Sequence, residues 1–485
     1  MKVRTNSIHV FKNKKLPCSQ QSYSTENTDS EIFLDVFNKI HLVNIIKSYL
    51  DEKSYLELKN INKIVHKFFD TINKKIIISQ NLDNFSIKSL KSLKNITKIE
   101  INNNIDFISL IQNIDTSKLN TIEIKNNINI NFNYLSNVDN LTKLKIESEK
   151  TDLQFLSDIK KLDELKIFFK PFKATSDNLY FDEDNYLLKS LRLLTKIKIL
   201  DISRMAFNNL SNLAVLSNNL EELNLHNCRL KVNNYNPLSK LKKLKKLDLS
   251  YSDIENITFI KELVDLNELN INLCSIKDFS SISNLKNLTK LLMNKIKYSV
   301  KNCINDLSFL LGLDKLEFLD LNENNTKNHL ILSHLKELRI LKIDDNNIDN
   351  ISFLESLDNL EELYLSFNEK IKNYSSISKL NKLKKLYITF SSLNDISFLE
   401  SMENLENLNI SFNGKITDFS SLTKLKKLKV LNLMGTNFIA DDSWITNVEN
   451  ISDLLINTNM IQQSKMKILY ERGTKVNIYG DKIYV

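Results

Sequence analysis

Residue types that carry chemistry are plentiful in this chain, but they lack the spacing that chemistry needs. A phosphate cradle requires glycines close together so that backbone amides can approach an anion. The five glycines, Gly312, Gly414, Gly435, Gly473 and Gly480, are scattered. The six histidines form no H-E-x-x-H pair, and His329 and His334 are too far apart for one helical face. The four cysteines, Cys18, Cys228, Cys274 and Cys303, contain no C-x-x-C. No serine lies in G-x-S-x-G. Carboxylates are many, and solvation on a surface explains them without a catalytic pair. The expectation is a protein that is not an enzyme and holds no metal, cofactor or small-molecule substrate. The chemistry left open is non-covalent recognition, for which aromatic side chains are the usual anchors. Tyr251, Tyr364, Phe367, Tyr387, Phe390 and Phe412 are the candidates.

Their placement follows from a repeated phrase. Leu341, Leu363, Leu386, Leu408, Leu431 and Leu454 recur at steps of about 22 or 23 residues, a period in the range of stacked repeats. The phrase is L-x-x-L-x-L-x-x-N, as in Leu360, Leu363, Leu365 and Asn368. Its L-x-L centre has the period of a strand with alternate side chains buried. The Asn closes the strand with a side chain that both donates and accepts, which predicts a ladder of hydrogen bonds between copies. Cys228 and Cys274 occupy the same position and are read as structural. A Ser-rich segment with its own apolar residues follows and returns the chain along the outside. A longer period of about 45 residues is also visible, because ISFLES at Ile351 recurs at Ile396.

This phrase resembles the leucine-rich repeat, in the variety found in phosphatase-regulator and internalin-like proteins. The resemblance implies an α/β solenoid with a parallel inner sheet and short helical or 3-10 outer segments. About sixteen copies are expected over residues 77–460, beginning with Ile99, Ile122, Leu144 and Leu165. An insertion near 168–196 carries Pro171, Asp182-Glu183-Asp184 and several aromatics, and is either a surface loop or a binding feature. Residues 461–485 read as a hairpin cap, with Val476 to Tyr479 and Ile483 to Val485 around Gly480-Asp481. In the stack, Tyr364 and Tyr387 form one outward column. Phe367, Phe390 and Phe412 form another, just before the ladder residue, with Tyr251 at the equivalent place earlier. Two readings stay open: an exposed ridge for a partner, or phenylalanines folded inward as extra core. Outward Glu268, Lys290, Glu362 and Lys385 alternate in sign, a pattern that serves the sheet itself.

Ahead of the repeats, residues 1–30 read as a flexible lead and 31–76 as three short helices. Ile46, Tyr49-Leu50-Asp51, Leu56, Leu58 and Ile61-Asn62-Lys63 leading to Phe68 resemble an F-box. That resemblance is to F-box proteins with leucine-rich repeats, found in eukaryotes and large DNA viruses. It implies docking of Ile46, Tyr49, Leu50, Leu56, Leu58 and Ile61 on a Skp1-like subunit of a cullin ubiquitin ligase, with the repeats holding a target protein. The competing reading is a scaffold or phosphatase-regulator-like protein whose helices only cap the first repeat.

The formal net charge of +8, with 26% of residues charged and both signs mixed, does not ask for nucleic acid. The opening MKVRTNSIHVFKNKK has charge without an apolar run after it, which predicts no secretory signal. No stretch approaches the roughly 20 apolar residues of a membrane span. The expected setting is the cytoplasm, or the host cytoplasm for a viral protein, where the thiols stay reduced.

Overall fold

The computed structural model describes residues 7–10, 74–78, 95–102, 107–125, 132–148, 154–159, 161–169, 181–182, 191–231, 233–296, 304–437, 443–457 and 461–479. The chain forms two compact units, Met1–Val232 and Asn233–Val485.

In the second unit the phrase leucines become a parallel ladder. Leu247, Leu269, Leu291, Leu319, Leu341, Leu363, Leu386, Leu408, Leu431 and Leu454 pair with one another in sequence order, each with its counterpart one coil on. The register is fixed because a slip of one residue would turn every leucine out to solvent. All of these leucines are buried. The outer segments are five-residue 3-10 turns such as Ser352–Ser356, Ser375–Lys379 and Ser397–Ser401. Such runs are too short to sustain an α-helix. Each starts on an Asn or Asp whose side-chain oxygen accepts the backbone N–H two residues later: Asn350 from Ser352 at 2.9 Å, Asn373 from Ser375 at 2.8 Å, Asp395 from Ser397 at 2.8 Å. These are Asx turns, which satisfy a donor the turn would leave orphaned.

A buried polar ladder ties coil to coil. Asn368 Nδ2 reaches the carbonyls of Ile343 at 3.0 Å and Leu365 at 3.1 Å, while its Oδ1 accepts from the amides of Asn346 and Ile348, both at 3.1 Å. Asn346 and Asn413 repeat the pattern on Leu321 and Ile388. Where the phrase has cysteine, Sγ takes over the donation across coils, from Cys274 to the Leu249 carbonyl at 3.1 Å.

The first unit is built the same way. Lys74–Ile78, Ile96–Ile101, Thr121–Lys125, Lys143–Ser148, Glu164–Phe169, Ile199–Asp201 and Glu222–Asn224 run parallel in sequence order. Cys228 Sγ donates to the Ile202 carbonyl at 3.2 Å. The insertion does not interrupt this ladder, since Leu165 pairs directly with Leu200. Part of it adds a second small parallel sheet, Phe181–Asp182 on Ala206–Phe207 and then Arg229–Leu230.

Three features differ from the expectation. Ser7–Val10, placed in the flexible lead, is a strand parallel to Lys74–Ile78. Its β-branched Ile8 and Val10 suit that state. The ladder strand Lys74–Ile78 begins inside the segment read as helical. Residues 461–485 open with the helix Gln463–Glu471, and Lys475–Tyr479 pairs in parallel with Asp453–Asn457. The open edge of a parallel ladder offers a full set of backbone partners, which Lys475–Tyr479 takes up as the last described strand. Ile483–Val485, the second arm of the expected hairpin, lies outside the described residues, as do Ile46, Tyr49, Leu50, Leu56, Leu58 and Ile61.

Candidate functional site

The residue before each ladder position sits in the left-handed region of backbone space. In the second unit this column runs Tyr251, Leu273, Lys295, Glu323, Asp345, Phe367, Phe390, Phe412 and Gly435, with φ between 49° at Lys295 and Phe390 and 67° at Gly435. The turn out of the strand imposes this conformation on whichever residue stands there. Glycine takes it freely and Asn or Asp tolerate it, but a bulky side chain pays roughly 1 to 2 kcal/mol. Three consecutive phenylalanines here are therefore costly to the fold.

That cost is not recovered by burial. Phe367 is 49% exposed, and Phe390 and Phe412 are each 41% exposed. The rings stack instead, with centroids 4.9 Å apart for Phe367 and Phe390 and 4.3 Å for Phe390 and Phe412. Strand spacing sets this near face-to-face geometry, which aromatic pairs do not choose on their own. At the end of the stack, a Cβ on Gly435 would run into the Phe412 ring. Glycine at 435 both accepts the left-handed turn and leaves room for the last ring.

Tyr364 and Tyr387 form the parallel column, stacked at 4.5 Å with planes 5° apart. They are half-buried. The Tyr364 hydroxyl donates to Glu362 Oε2 at 3.1 Å, and burial together with that carboxylate pushes the phenol well above its usual range. Lys342 Nζ stands over the Tyr364 ring at 4.9 Å and the Phe318 ring at 5.7 Å. Between the columns lie Ser366, Thr389 and Ser411. Five of the six expected aromatics are thus brought together. Tyr251 shares the left-handed column and is 49% exposed, but Leu273, Lys295, Glu323 and Asp345 separate it from the stack.

The charged rows around these columns serve the coil stack. Lys385 pairs with Glu362 at 2.9 Å and Lys246 with Glu268 at 3.3 Å. Glu361 is bridged from both sides by Arg339 and by Lys384, whose hydrogen bonds hold its carboxyl below the usual range. Outside them, Asn359 Nδ2 donates to the Lys336 carbonyl at 3.0 Å while its Oδ1 accepts from Lys382 at 2.7 Å. Asn404 does the same with Asn381 and Lys427. Coils of Asn-Glu type alternate with coils of Lys type, which is the physical content of the period of about 45 residues.

Two carboxylates stand apart from this pairing. Asp320 Oδ1 accepts the Asn322 amide at 3.1 Å, Asn322 Oδ1 accepts the Asp344 amide at 2.7 Å, and Asp344 Oδ1 accepts the Ser366 amide at 2.6 Å. Burial raises both carboxyls, Asp344 to about 6, with the neighbouring Asp320 adding to the rise. Lys342 opposes this for both, more weakly than burial acts. Nothing in the sequence marked these acids: Asn322, Ser366, Thr389 and Ser411 fill the place of Asp344 in other coils, and Asp248, Asn270, Lys342 and Tyr364 that of Asp320.

One arrangement superficially suits nucleophilic chemistry. Thr326 Oγ1 lies 3.0 Å from His329 Nε2, and Asp349 acts on the same imidazole. Thr326 is buried, however, and its hydroxyl donates to Asn346 Oδ1 at 2.9 Å, within the ladder. Burial pushes the His329 imidazole below its usual range. The cluster fastens one coil to the next.

A family model described as "Leucine Rich repeats (2 copies)" matches residues 403–450. An LRR protein of Leptospira interrogans superposes with a TM-score of 0.53 at 18% identity, over 86% of this chain and 98% of that one. The chain has the leucine-rich repeat fold. An internalin of Listeria monocytogenes is also similar, at 20% identity over 76% of this chain and 88% of that one, with a TM-score of 0.42. A plant peptide hormone receptor, solved in complex with RGF2, gives 15% identity over 79% and 64% with a TM-score of 0.49. No curated protein matches the chain. In this chain the parallel register, the Asn ladder and the outer 3-10 turns hold the coils on which the aromatic columns stand.

Proposed function

We propose that this leucine-rich repeat protein is a non-catalytic interaction protein that holds a partner protein on the aromatic columns of its second unit. One observation carries the reading: Phe367, Phe390 and Phe412 are kept in left-handed backbone, at a cost to the fold, while each remains 41 to 49% exposed. Strain retained at an exposed aromatic site is a reason to look for function there. The test is affinity capture from the native cell with the full chain and with a variant carrying Phe367→Asn, Phe390→Asn and Phe412→Asn. Asparagine accepts the left-handed turn, so the variant keeps its fold. Loss of wild-type partners by at least tenfold is expected; unchanged capture would exclude the columns as the binding surface.

The pattern at Ile46, Tyr49, Leu50, Leu56, Leu58 and Ile61 supports a more specific role, that of a cytoplasmic adaptor docking a Skp1-like subunit and presenting a target for ubiquitination. Co-purification of the full chain with Skp1, abolished by Leu50→Asp, is the expected result. Retention of the repeat partners without any Skp1 would favour a scaffold of phosphatase-regulator type, with residues 31–76 acting as a cap.

A further inference from the structure

We propose that the groove between the outer turns of the Leu363 and Leu386 coils binds a small zwitterion of dipeptide size that carries an apolar side chain. Lys372 and Lys379 on one wall receive its carboxylate, and Asp395 and Glu400 on the other receive its ammonium. The apolar side chain lies on the floor made by Tyr374 and Phe398. The site is separate from the aromatic columns and does not rest on them.

The groove has a volume of about 470 Å³, within the roughly 300 to 1,000 Å³ of small-ligand sites. One wall is the turn Ser375–Lys379 with Lys372 ahead of it, and the other is Ser397–Ser401 with Asp395 ahead of it. The Tyr374 and Phe398 rings stack with centroids 6.0 Å apart. Both are buried, and the Tyr374 hydroxyl donates to the Ser391 carbonyl at 3.0 Å, which fixes the floor. Lys372, Lys379, Asp395 and Glu400 are exposed, and none of them joins an ion pair among the described residues. The two walls thus present opposite charge without closing on each other.

A second groove separates what the fold needs from what the ligand uses. Between the coils of Leu269 and Leu291, Phe279 and Phe309 pair at 5.3 Å, and Asp278 and Asp306 accept the amides of Ser280 and Ser308, each at 2.8 Å. These residues correspond to Tyr374, Phe398, Asn373 and Asp395. The remaining charges differ. Asn284 stands where Lys379 does and Leu311 where Glu400 does, while Lys277, the counterpart of Lys372, is tied to Glu255 at 2.5 Å. The aromatic floor and the Asx turns are therefore repeat architecture, and such coils form without a lysine and a glutamate at the far end. Glu400 accepts from Ser421 Oγ at 3.4 Å through Oε1, a long bond beside the 2.8 Å of the equivalent Glu355 and Ser376. Its other oxygen makes no hydrogen bond among the described residues.

Lysines and acids held too far apart to pair with each other match a ligand whose own charges are separated by more than the single carbon of a free amino acid. One peptide bond supplies that separation. A ligand with one charge satisfies one wall and leaves the other unmatched, so carrying both signs is what confers selectivity. All four charged groups are exposed, so affinity is modest and falls with salt.

The experiment is a ligand-detected NMR titration of the full chain at low ionic strength with glycyl-phenylalanine, its N-acetyl form, its C-terminal amide and the form blocked at both ends. The free dipeptide is expected to bind saturably, and each singly blocked form to bind roughly fivefold more weakly, the loss of one exposed charge pairing. Lys379→Gln and Glu400→Gln should each weaken the free dipeptide by a similar factor without moving the thermal midpoint. Both side chains are exposed, and glutamine at 400 keeps an oxygen for Ser421. The variant carrying Phe367→Asn, Phe390→Asn and Phe412→Asn should bind the dipeptide like wild type. Equal binding of free and blocked forms, or binding untouched by both glutamine variants, would overturn the proposal. Loss of the dipeptide in the triple Phe→Asn variant would overturn it by assigning the ligand to the aromatic columns. Absence of saturable binding up to about 10 mM would overturn it as well.

Discussion

Replacing Asn368 with alanine should destabilise the second unit by about 3 to 5 kcal/mol, more than any single surface change in the chain. The side chain is fully buried and reaches backbone groups of two successive coils: the carbonyls of Ile343, Leu365 and Ser366 and the amides of Asn346 and Ile348. Alanine leaves those groups without their partner in a place water does not enter, at roughly 1 to 3 kcal/mol for each donor or acceptor left unmade. Asn368→Ser should cost about half as much. Serine is the natural ladder residue one coil on, where Ser391 Oγ still reaches the Thr389 carbonyl at 2.9 Å and the Leu365 carbonyl at 3.5 Å. A stack of coils need not unfold in one step, so amide exchange at Asn346 and Ile348 is the measurement to make alongside denaturation. Protection there should fall first. Equal exchange in wild type and Asn368→Ala would mean the ladder contributes little.

Asp344→Asn should stabilise the protein at neutral pH by about 2 to 3 kcal/mol and do nothing near pH 4. Burial raises this carboxyl from 3.8 to about 6 in the folded chain. A raised acid binds its proton more tightly when folded, so its favourable contribution is complete below the unfolded value near pH 4. It is lost as pH rises through about 6, where the folded chain must hold a half-buried negative charge. Asparagine cannot ionise and still offers an oxygen to the Ser366 amide, so the variant should show a flatter stability profile between pH 4 and 7. Denaturant midpoints across that range read the effect. A wild-type profile already flat there would show that Asp344 is compensated. Keeping an acid where an amide would be more stable is the kind of cost that a binding surface explains.

Much of this fold was legible because leucine burial repeats with every coil. Leu319, Leu341 and Leu363 announce consecutive strands, and the structure pairs them in that register. The aromatic columns were legible for the same reason, since fixed spacing in a parallel stack places equivalent residues side by side. The left-handed backbone under Phe367, Phe390 and Phe412 was not, because a bulky residue argues against that conformation and only the turn out of the strand imposes it. The burial of Asp320 and Asp344 was hidden because in the sequence they look like ordinary surface carboxylates. Ser7–Val10 was misread, and the parallel partner of Lys475–Tyr479 was not foreseen, because an edge strand is stabilised by the ladder it joins, which local sequence does not display.

That the phenylalanine stack is kept for a partner and not for stability is tested most directly by equilibrium unfolding of the variant carrying Phe367→Asn, Phe390→Asn and Phe412→Asn. Relief of three strained turns should offset the partial burial lost, leaving the midpoint unchanged or higher. A loss on the scale of a buried leucine cut to alanine, about 2 to 5 kcal/mol, would make the rings part of the core and contradict the assignment.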